Sequence, residues 1–430
     1  MVSYITSLTA SQRLGASGGP ALEIKLSTSN GIYTSLISIR GTGNEHVVHS
    51  FSDNQEHLSQ ALHNIDNVIA PLLIKEKFDL GQDLNKIDRF LKELAASETG
   101  ASSYRLGHQE MMGISIACSR AGAACAGLPL YEFLRQKAPA AKAPYIMPVP
   151  FFTVLDSDGL EYSIAPVGAS NMTDAIRMGS ETYRCLREAL EEKLGAAATH
   201  TTSSGSFSLP LIPHLEALHL LATAIHTAGY TGKISMGINA ASATLNTPEK
   251  LNIYHDIMTK YPIALLEDPF PEDEWQSWMH VMSEKGREEG AWKYVEIVDC
   301  ETMAHKRMQE ARAKGVCNGI RISLDQFPTL SEVFATANQA FSYDWGVFIS
   351  HSHLETNDSF IADLAVALRS GHIKTGAPTR GENVVKYNRL LEIFDEIKDS
   401  REDVEFAGSQ FRTANGRVEG GKIPLNLYGY

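Results

Sequence analysis

The sequence has no surplus of positive charge. Lys and Arg number 38 against 51 Asp and Glu, a formal net charge of −13. A protein that grips a nucleic-acid backbone needs the opposite balance, so no nucleic-acid partner is expected. Nowhere do about 18 apolar residues run without interruption, so no membrane-crossing helix is expected. The opening MVSYITSLTASQRLG has neither a basic leader nor an apolar core, so it does not read as a signal peptide. Cysteine is scarce: Cys118, Cys125, Cys185, Cys300 and Cys317, none in a CxxC. That usage points to a reducing, cytoplasmic compartment and away from a disulfide framework or a structural zinc. There is no GxSxG elbow, and no cysteine has a plausible catalytic partner in sequence. GTGN at 41–44 falls short of the phosphate-cradling glycine pattern and precedes no obvious helix.

What is present is a large globular composition, 43% hydrophobic and 21% charged over 430 residues. At roughly 150 residues per domain this suggests two domains, or one with an appendage. The second half is periodic. Short β-rich runs end at KISMGIN (233–239), IALLEDPF (263–270), YVEIVDC (294–300), GIRISL (319–324), WGVFISH (345–351) and GHIKTG (371–376). Their terminal polar residues are Asn239, Glu267, Asp299, Ser323, His351 and Lys374, at intervals of 28, 32, 24, 28 and 23 residues. That is the beat of consecutive parallel β/α units. With strand-like material around 146–166, the count approaches a (β/α)8 barrel. Thr247-Pro248 and the box Thr329-Leu330-Ser331-Glu332 are helix starts. Met172, Ile176, Gly179, Tyr183, Leu186, Leu190 and Leu194 share one helix face, and Gly195 sits where a helix ends.

Residues 1–140 read as a separate α+β domain. Ala21–Ile39 has a hairpin pattern around Asn30-Gly31. Helical stretches follow near 56–75, 84–96, 104–122 and 129–136. The Ala- and Pro-rich APAAKAPYIMPVP (138–150) is the junction, and the barrel occupies 141–430.

Barrel active sites lie at the C-terminal strand ends, where the six polar residues fall. Asn239, Glu267 and Asp299 on three successive strands are oxygen ligands suited to a hard cation such as Mg²⁺; the alternative is ordinary strand-end polars facing solvent. Lys374 suits a general base at a dry rim beside a metal, or else a carboxylate-binding or merely solvated lysine. His351 and His353 share a face of an extended chain, but further histidine or cysteine ligands for zinc are lacking nearby.

At this point the chain resembles the enolase family over nearly its whole length. The resemblance runs through SRAGAACAGLPLYEFL (119–134), APVGASNMTDAIRMGSETY (165–183), LLEDPFPEDEW (265–275), FISHSHLETNDSFIADLAVALRSGHIKTGAPTR (348–380), KYNRLLEI (386–393) and EFAGSQFR (405–412). It implies an α+β capping domain, a barrel whose first connections are not simple β/α units, a homodimer and dependence on Mg²⁺. Glu267 and Asp299 match two of the family's metal ligands, and Asn239 stands where the third is normally Asp. His351, Lys374 and Glu161 match positions that contact substrate, Lys374 being the one that binds the substrate carboxylate.

The resemblance also implies losses. Ser323 stands at the family's base lysine and Ser204 at its opposing Glu. Ser352 replaces a phosphate-binding Arg, and Gly43 replaces a Ser that closes on a second metal. A flexible loop bearing a substrate-facing His is shortened to LDSDG (155–159). Little or no conversion of 2-phosphoglycerate to phosphoenolpyruvate is therefore expected. One reading is a repurposed lyase: a small carboxylate substrate on Mg²⁺, with Lys374 or His351 taking the α-proton. Glu161, Asp156 or Asp158 would assist the leaving group, giving β-elimination of water or ammonia, or epimerisation. The others are a non-catalytic homologue with a binding or assembly role, and ordinary enolase chemistry in a rearranged site. Ser323, Ser352, His353, Asp156 and Asp158 are the candidate substrate contacts. The loops at 40–46, 155–161 and 199–210 depart most from the family, with Asn44, Glu45, His46 and His200 as further candidates for reading a headgroup.

Overall fold

The computed structural model describes residues 3–39, 51–96, 106–138, 144–209, 212–241, 243, 246–285, 295–299, 303–351 and 355–414. The chain divides into two compact units. The first comprises Met1–Ala141, Ser323–Thr336 and Ser352–Ala367; the second comprises Lys142–Ile322, Ala337–His351 and Leu368–Tyr430.

The first unit opens with an antiparallel sheet of β1 (Ser7–Leu14), β2 (Pro20–Thr28) and β3 (Gly31–Ser38) in that order. The sequence pattern finds the hairpin but misplaces its turn by one residue. Thr28 pairs with Gly31, so Ser29-Asn30 makes the turn. Gly31 opens β3 at φ 152°, a backbone that favours glycine. The helices α1 (Phe51–Asn64), α2 (Ala70–Glu76), α3 (Leu84–Ala96), α4 (His108–Ala126) and α5 (Leu130–Lys137) follow. A single π turn over Ile65–Ile69 interrupts the first helical stretch just ahead of Pro71, whose ring has no N–H to continue the ladder. Gly127 closes α4 with φ 67°.

The second unit is a barrel. Its elements are β4 (Tyr145–Met147), β5 (Val149–Ser157), β6 (Leu160–Ala165), α6 (Met172–Leu194), β7 (Phe207–Ser208), α7 (His214–Thr227), β8 (Ser235–Asn239), α8 (Thr247–Lys260), β9 (Ile263–Glu267), α9 (Trp275–Lys285), β10 (Glu296–Asp299), α10 (Met303–Lys314), β11 (Gly319–Ile322), α11 (Leu330–Ser342), β12 (Gly346–Ser350), α12 (Phe360–Leu368), β13 (His372–Lys374), α13 (Gly381–Asp399) and β14 (Val404–Phe406); α11 and α12 run partly in the first unit. Eight strands close in the order β13-β12-β11-β10-β9-β8-β6-β5, with β13 pairing β5. β5–β6 and β6–β8 are antiparallel and every other barrel pair is parallel. Two strands and two helices thus precede the regular alternation, which is the departure from simple β/α units that the resemblance implies. The interior is filled by Val149, Phe151, Leu265, Val298 and Phe348, closed by Phe411 after β14.

Two helix starts differ from expectation. Asn246, not Thr247, caps α8 in a capping box with Glu249, and Pro248 sits inside the first turn. Thr329 forms no side-chain cap; its hydroxyl is buried. The first N–H groups of α11 are taken instead by Ser115 Oγ on α4 (3.2 Å) and Asp88 Oδ2 on α3 (2.9 Å). Tertiary partners thus take the N–H groups just ahead of the one a Thr329 cap would use, and the Glu332 side chain pairs with Lys92 instead of turning back to Thr329.

Among the described residues no single helix is long and apolar enough to cross a membrane. α4 and α5 pass such a test only together, across a 103° bend.

Candidate active site

The strand ends fall where the spacing places them. Asn239, Glu267, Asp299 and Lys374 end β8, β9, β10 and β13, while Ser323 and His351 each follow the last residue of β11 and β12. Adjacent strands also bring a row into register. Asp156 pairs with Glu161, Glu161 with Asn239, and Asn239 with Glu267. Directly opposed residues share a face of a sheet, so these four point to one side of the barrel mouth.

Two of them meet Lys374, and a third, Asn239, joins through Glu161. Lys374 Nζ donates to Glu267 Oε1 at 2.8 Å and to Glu161 Oε2 at 3.4 Å. Asn239 Nδ2 donates to the same Glu161 oxygen at 3.3 Å, and Asn239 Oδ1 accepts the Ala241 N–H at 3.0 Å. Lys374 and Glu267 are buried at 3% and 1% exposure, whereas the Glu161 side chain is 27% exposed. Lys374 is therefore a cation shared by a deep carboxylate and a shallow one, and removing it would take a close counter-charge from a buried carboxylate.

The shortened segment 155–159 is no open loop. β5 and β6 meet in a two-residue turn, Asp158 at φ 52° and Gly159 at φ 74°, the backbone of the tightest hairpin turns. The tip is tied from α7. Tyr162 Oη lies 3.2 Å from His214 Nδ1, and His214 Nε2 lies 3.9 Å from Asp158 Oδ2. Burial lowers the pKa of His214, against the pull of Asp158. On the same hairpin, burial first and then the Glu161 charge push Asp156 up to about 6. The two new aspartates thus have different places: Asp156 stands in the carboxylate row, while Asp158 is a turn residue beside a histidine.

The segment after α6 has a closed ring of hydroxyls. Thr202 lies 2.9 Å from Ser204 and 2.7 Å from Ser206, and Ser204 lies 3.0 Å from Ser206. The Ser204 carbonyl accepts from Asn383 Nδ2 (2.9 Å) and from the Ala377 N–H (2.9 Å), tying this segment to the one after Lys374. Ser323 caps the turn Leu324–Gln326, with its N–H bonded to Gln326 Oε1 at 3.2 Å and its hydroxyl bonded to Asp325. Neither serine supplies a base in place of a lysine or a carboxylate.

Lys374, Glu161, Asn239 and Glu267 are brought together as the sequence suggests. His351 lies half-buried beside β13, with its N–H on the Lys374 carbonyl at 2.9 Å. For Asp299 only the backbone is described. Ser352, His353, Gly43 and the loop at 40–46 lie outside the described residues. The lysine's link to Glu267 was missed, because spacing along a chain says nothing of which strand ends meet across a barrel. So was a buried pair of His372 and Glu296. A charged residue at an inward position of a fully buried strand is the signal that marks it.

The donors fit a hard divalent cation in kind. Glu267, Glu161 and Asn239 offer carboxylate and carboxamide oxygens, with no thiolate or imidazole among them. Asn239 and Glu267 would hold it, with Asp299 at the adjoining strand end.

A family model described as the enolase N-terminal domain matches residues 5–134. One described as the enolase C-terminal TIM barrel domain matches residues 144–250 and 242–415.

Proposed function

Because the chain belongs to the enolase superfamily through both of its matched domains, we propose that it is a magnesium-assisted lyase or epimerase for a small carboxylate other than 2-phosphoglycerate. Domains of this family generally bind Mg²⁺. The observation that carries the reading is the contact of Lys374 with Glu267 and Glu161 beside Asn239. When bound, the cation supplies Lewis-acid stabilisation of the charge that develops on the substrate carboxylate. The chain's own residues do the rest. Glu267, Asn239 and Asp299 supply oxygens for the cation. Lys374 Nζ, in contact with Glu267 and Glu161, is the group best placed to move the α-proton, with His351 next to it along the rim. Glu161 and Asp156 are opposed across the hairpin. Asp156, shifted towards neutrality, is the better proton donor to a leaving group; Asp158, at the turn and beside His214, is the poorer one.

The rejection of 2-phosphoglycerate is supported by Ser204 and Ser323. Both hydroxyls are engaged with neighbours on their own segments, where the family resemblance puts a Glu and a Lys. The same observation is what favours a second reading, a non-catalytic homologue. Solvent deuterium exchange at the α-carbon, across a panel of hydroxy, amino and dicarboxylic acids with Mg²⁺, separates the two. Exchange that disappears in a folded Lys374→Ala variant supports the lyase. Absence of exchange with every member sinks it and leaves the non-catalytic reading ahead. Rapid formation of phosphoenolpyruvate from 2-phosphoglycerate would overturn both. The reading includes a cytoplasmic homodimer, which cell fractionation and sedimentation velocity would check.

A further inference from the structure

The charged pair His372–Glu296 lies in the barrel interior, at the end away from Lys374. His372 is the first residue of β13 and Glu296 the first of β10, so both stand at the N-terminal floor. His372 Nε2 is 3.0 Å from Glu296 Oε2, and both side chains are 0% exposed. β12 and β11 lie between these two strands in the sheet, so the contact crosses the interior instead of following the ladder. Barrel floors are normally filled by branched apolar side chains, so a buried charged pair needs a reason.

The imidazole is fixed on every side. Its Nδ1 lies 2.9 Å from the Ser370 carbonyl, which can only accept, so Nδ1 carries the hydrogen. The ring stacks on Phe348 (centroids 4.4 Å apart, 11° between planes), lies edge-on to Phe151 at 5.9 Å, and tilts against Phe411 at 5.0 Å. Nε2 approaches Glu296 off the ring's N–H direction, so packing holds the pair in place more than a linear hydrogen bond does. Room for the carboxylate is made by Gly319 on β11, where an added Cβ would lie 2.8 Å from Glu296 Oε1.

His372 and Lys374 are two residues apart on one strand and so share its inward face. β13 has only three residues and is paired on both sides, with β12 and with β5. The ladder fixes the register of β13, and the His372–Glu296 contact adds a constraint across the interior. We infer that His372, tied through Glu296 to the strand that ends at Asp299, is a positioning residue that sets the height of Lys374 against Glu267 and Glu161. The inference rests on the proposed role of Lys374, but the arrangement can be read without turnover.

The test uses full-length protein labelled with ¹³C at lysine Cε, the Lys374 signal being assigned by its loss in Lys374→Met. His372→Gln and Glu296→Gln should each move that signal at fixed pH. The double variant, whose two amides can bond to each other, should bring it back towards the wild-type position. Gly319→Ala crowds Glu296 without removing either partner, and should move the signal in the same direction as the single variants. Where a substrate has been found, each single variant should lower the exchange rate at least tenfold with KM little changed, and the double should recover most of it. Single variants that fold with the Lys374 signal unmoved would make the pair a stability element and overturn the inference. If the singles fail to fold, an unmoved signal in Gly319→Ala overturns it equally. Absence of activity on every substrate would bear on the lyase reading and leave the spectroscopic result standing.

Discussion

Replacing Lys374 by Met removes a cation that bridges Glu267 and Glu161. At an effective dielectric near 20, a charge pair at 2.8 Å attracts by about 6 kcal/mol, and one at 3.4 Å by about 5 kcal/mol. Desolvation of the buried lysine and of Glu267 offsets much of that gross attraction. The net loss on removing one member of such a buried pair is about 3–5 kcal/mol, because the other charge stays behind. An unfolding entropy near 2.1 cal/mol/K per residue over 430 residues turns this into a fall in Tm of about 3–6 °C if the chain melts as one unit. Scanning calorimetry without divalent cations would measure it. Lys374→Met/Glu267→Gln, which neutralises the stranded carboxylate, should recover at least half of the loss. Added Mg²⁺ should raise the Tm of Lys374→Met more than that of the wild type, since the deleted charge no longer competes for the same oxygens. A Lys374→Met protein that melts with the wild type in the absence of metal would refute the account of Lys374 as the buried counter-ion.

Asp156, pushed up to about 6 from 3.8, contributes stability that is present below its unfolded pKa and lost as pH rises through about 6. Asp156→Asn should therefore stabilise the protein at pH 7.5, by about 1 kcal/mol once solvent screening of this half-buried group is allowed for, with no gain at pH 4; urea unfolding at the two pH values checks it. In the first unit, Arg120 bonds Asp358 through two nitrogens, at 2.7 and 2.8 Å. Burial drives the Asp358 carboxyl up, but the charge and bonds of Arg120 outweigh it and hold the pKa below the usual value. Asp358→Asn should cost about 3–5 kcal/mol at neutral pH. The wild-type advantage should fade as acid protonates Asp358 through its lowered pKa, as chemical denaturation at descending pH would report. Gly179→Ala places a methyl 2.1 Å from Phe152 Cε2. It should cost about 1–3 kcal/mol despite the better helix propensity of Ala, measured by thermal melting.

The barrel was legible because parallel strands joined by helices repeat at a fixed beat, and because polar residues at strand ends break long apolar runs. Asn239, Glu267 and Lys374 were found on that signal. The antiparallel pairing of β5 with β6 was not, since alternation along a strand does not state its direction. The segment holding Asp156 and Asp158 was read as a clipped loop, although Asp158-Gly159 has the composition of a tight hairpin. The box suggested by Thr329 and Glu332 does not form, because Asp88 and Ser115, hundreds of residues upstream, hold the first N–H groups of α11 and Lys92 holds Glu332. Glu296 and His372 lie within two separate strand runs, and no pattern along either run pairs them across the barrel.

The discontinuity of the first unit constrains how it can be made. Arg120, Asp88 and Ser115 find their partners at Asp358, Ser331 and Leu330, so these bonds must wait until the ribosome has passed residue 358. Until then Asp88 on α3 and Arg120 on α4 are made ahead of the downstream groups they bond in the folded unit. A polypeptide cut at the end of α5 would inherit that incompleteness permanently, and would emerge as a loose, aggregation-prone fragment.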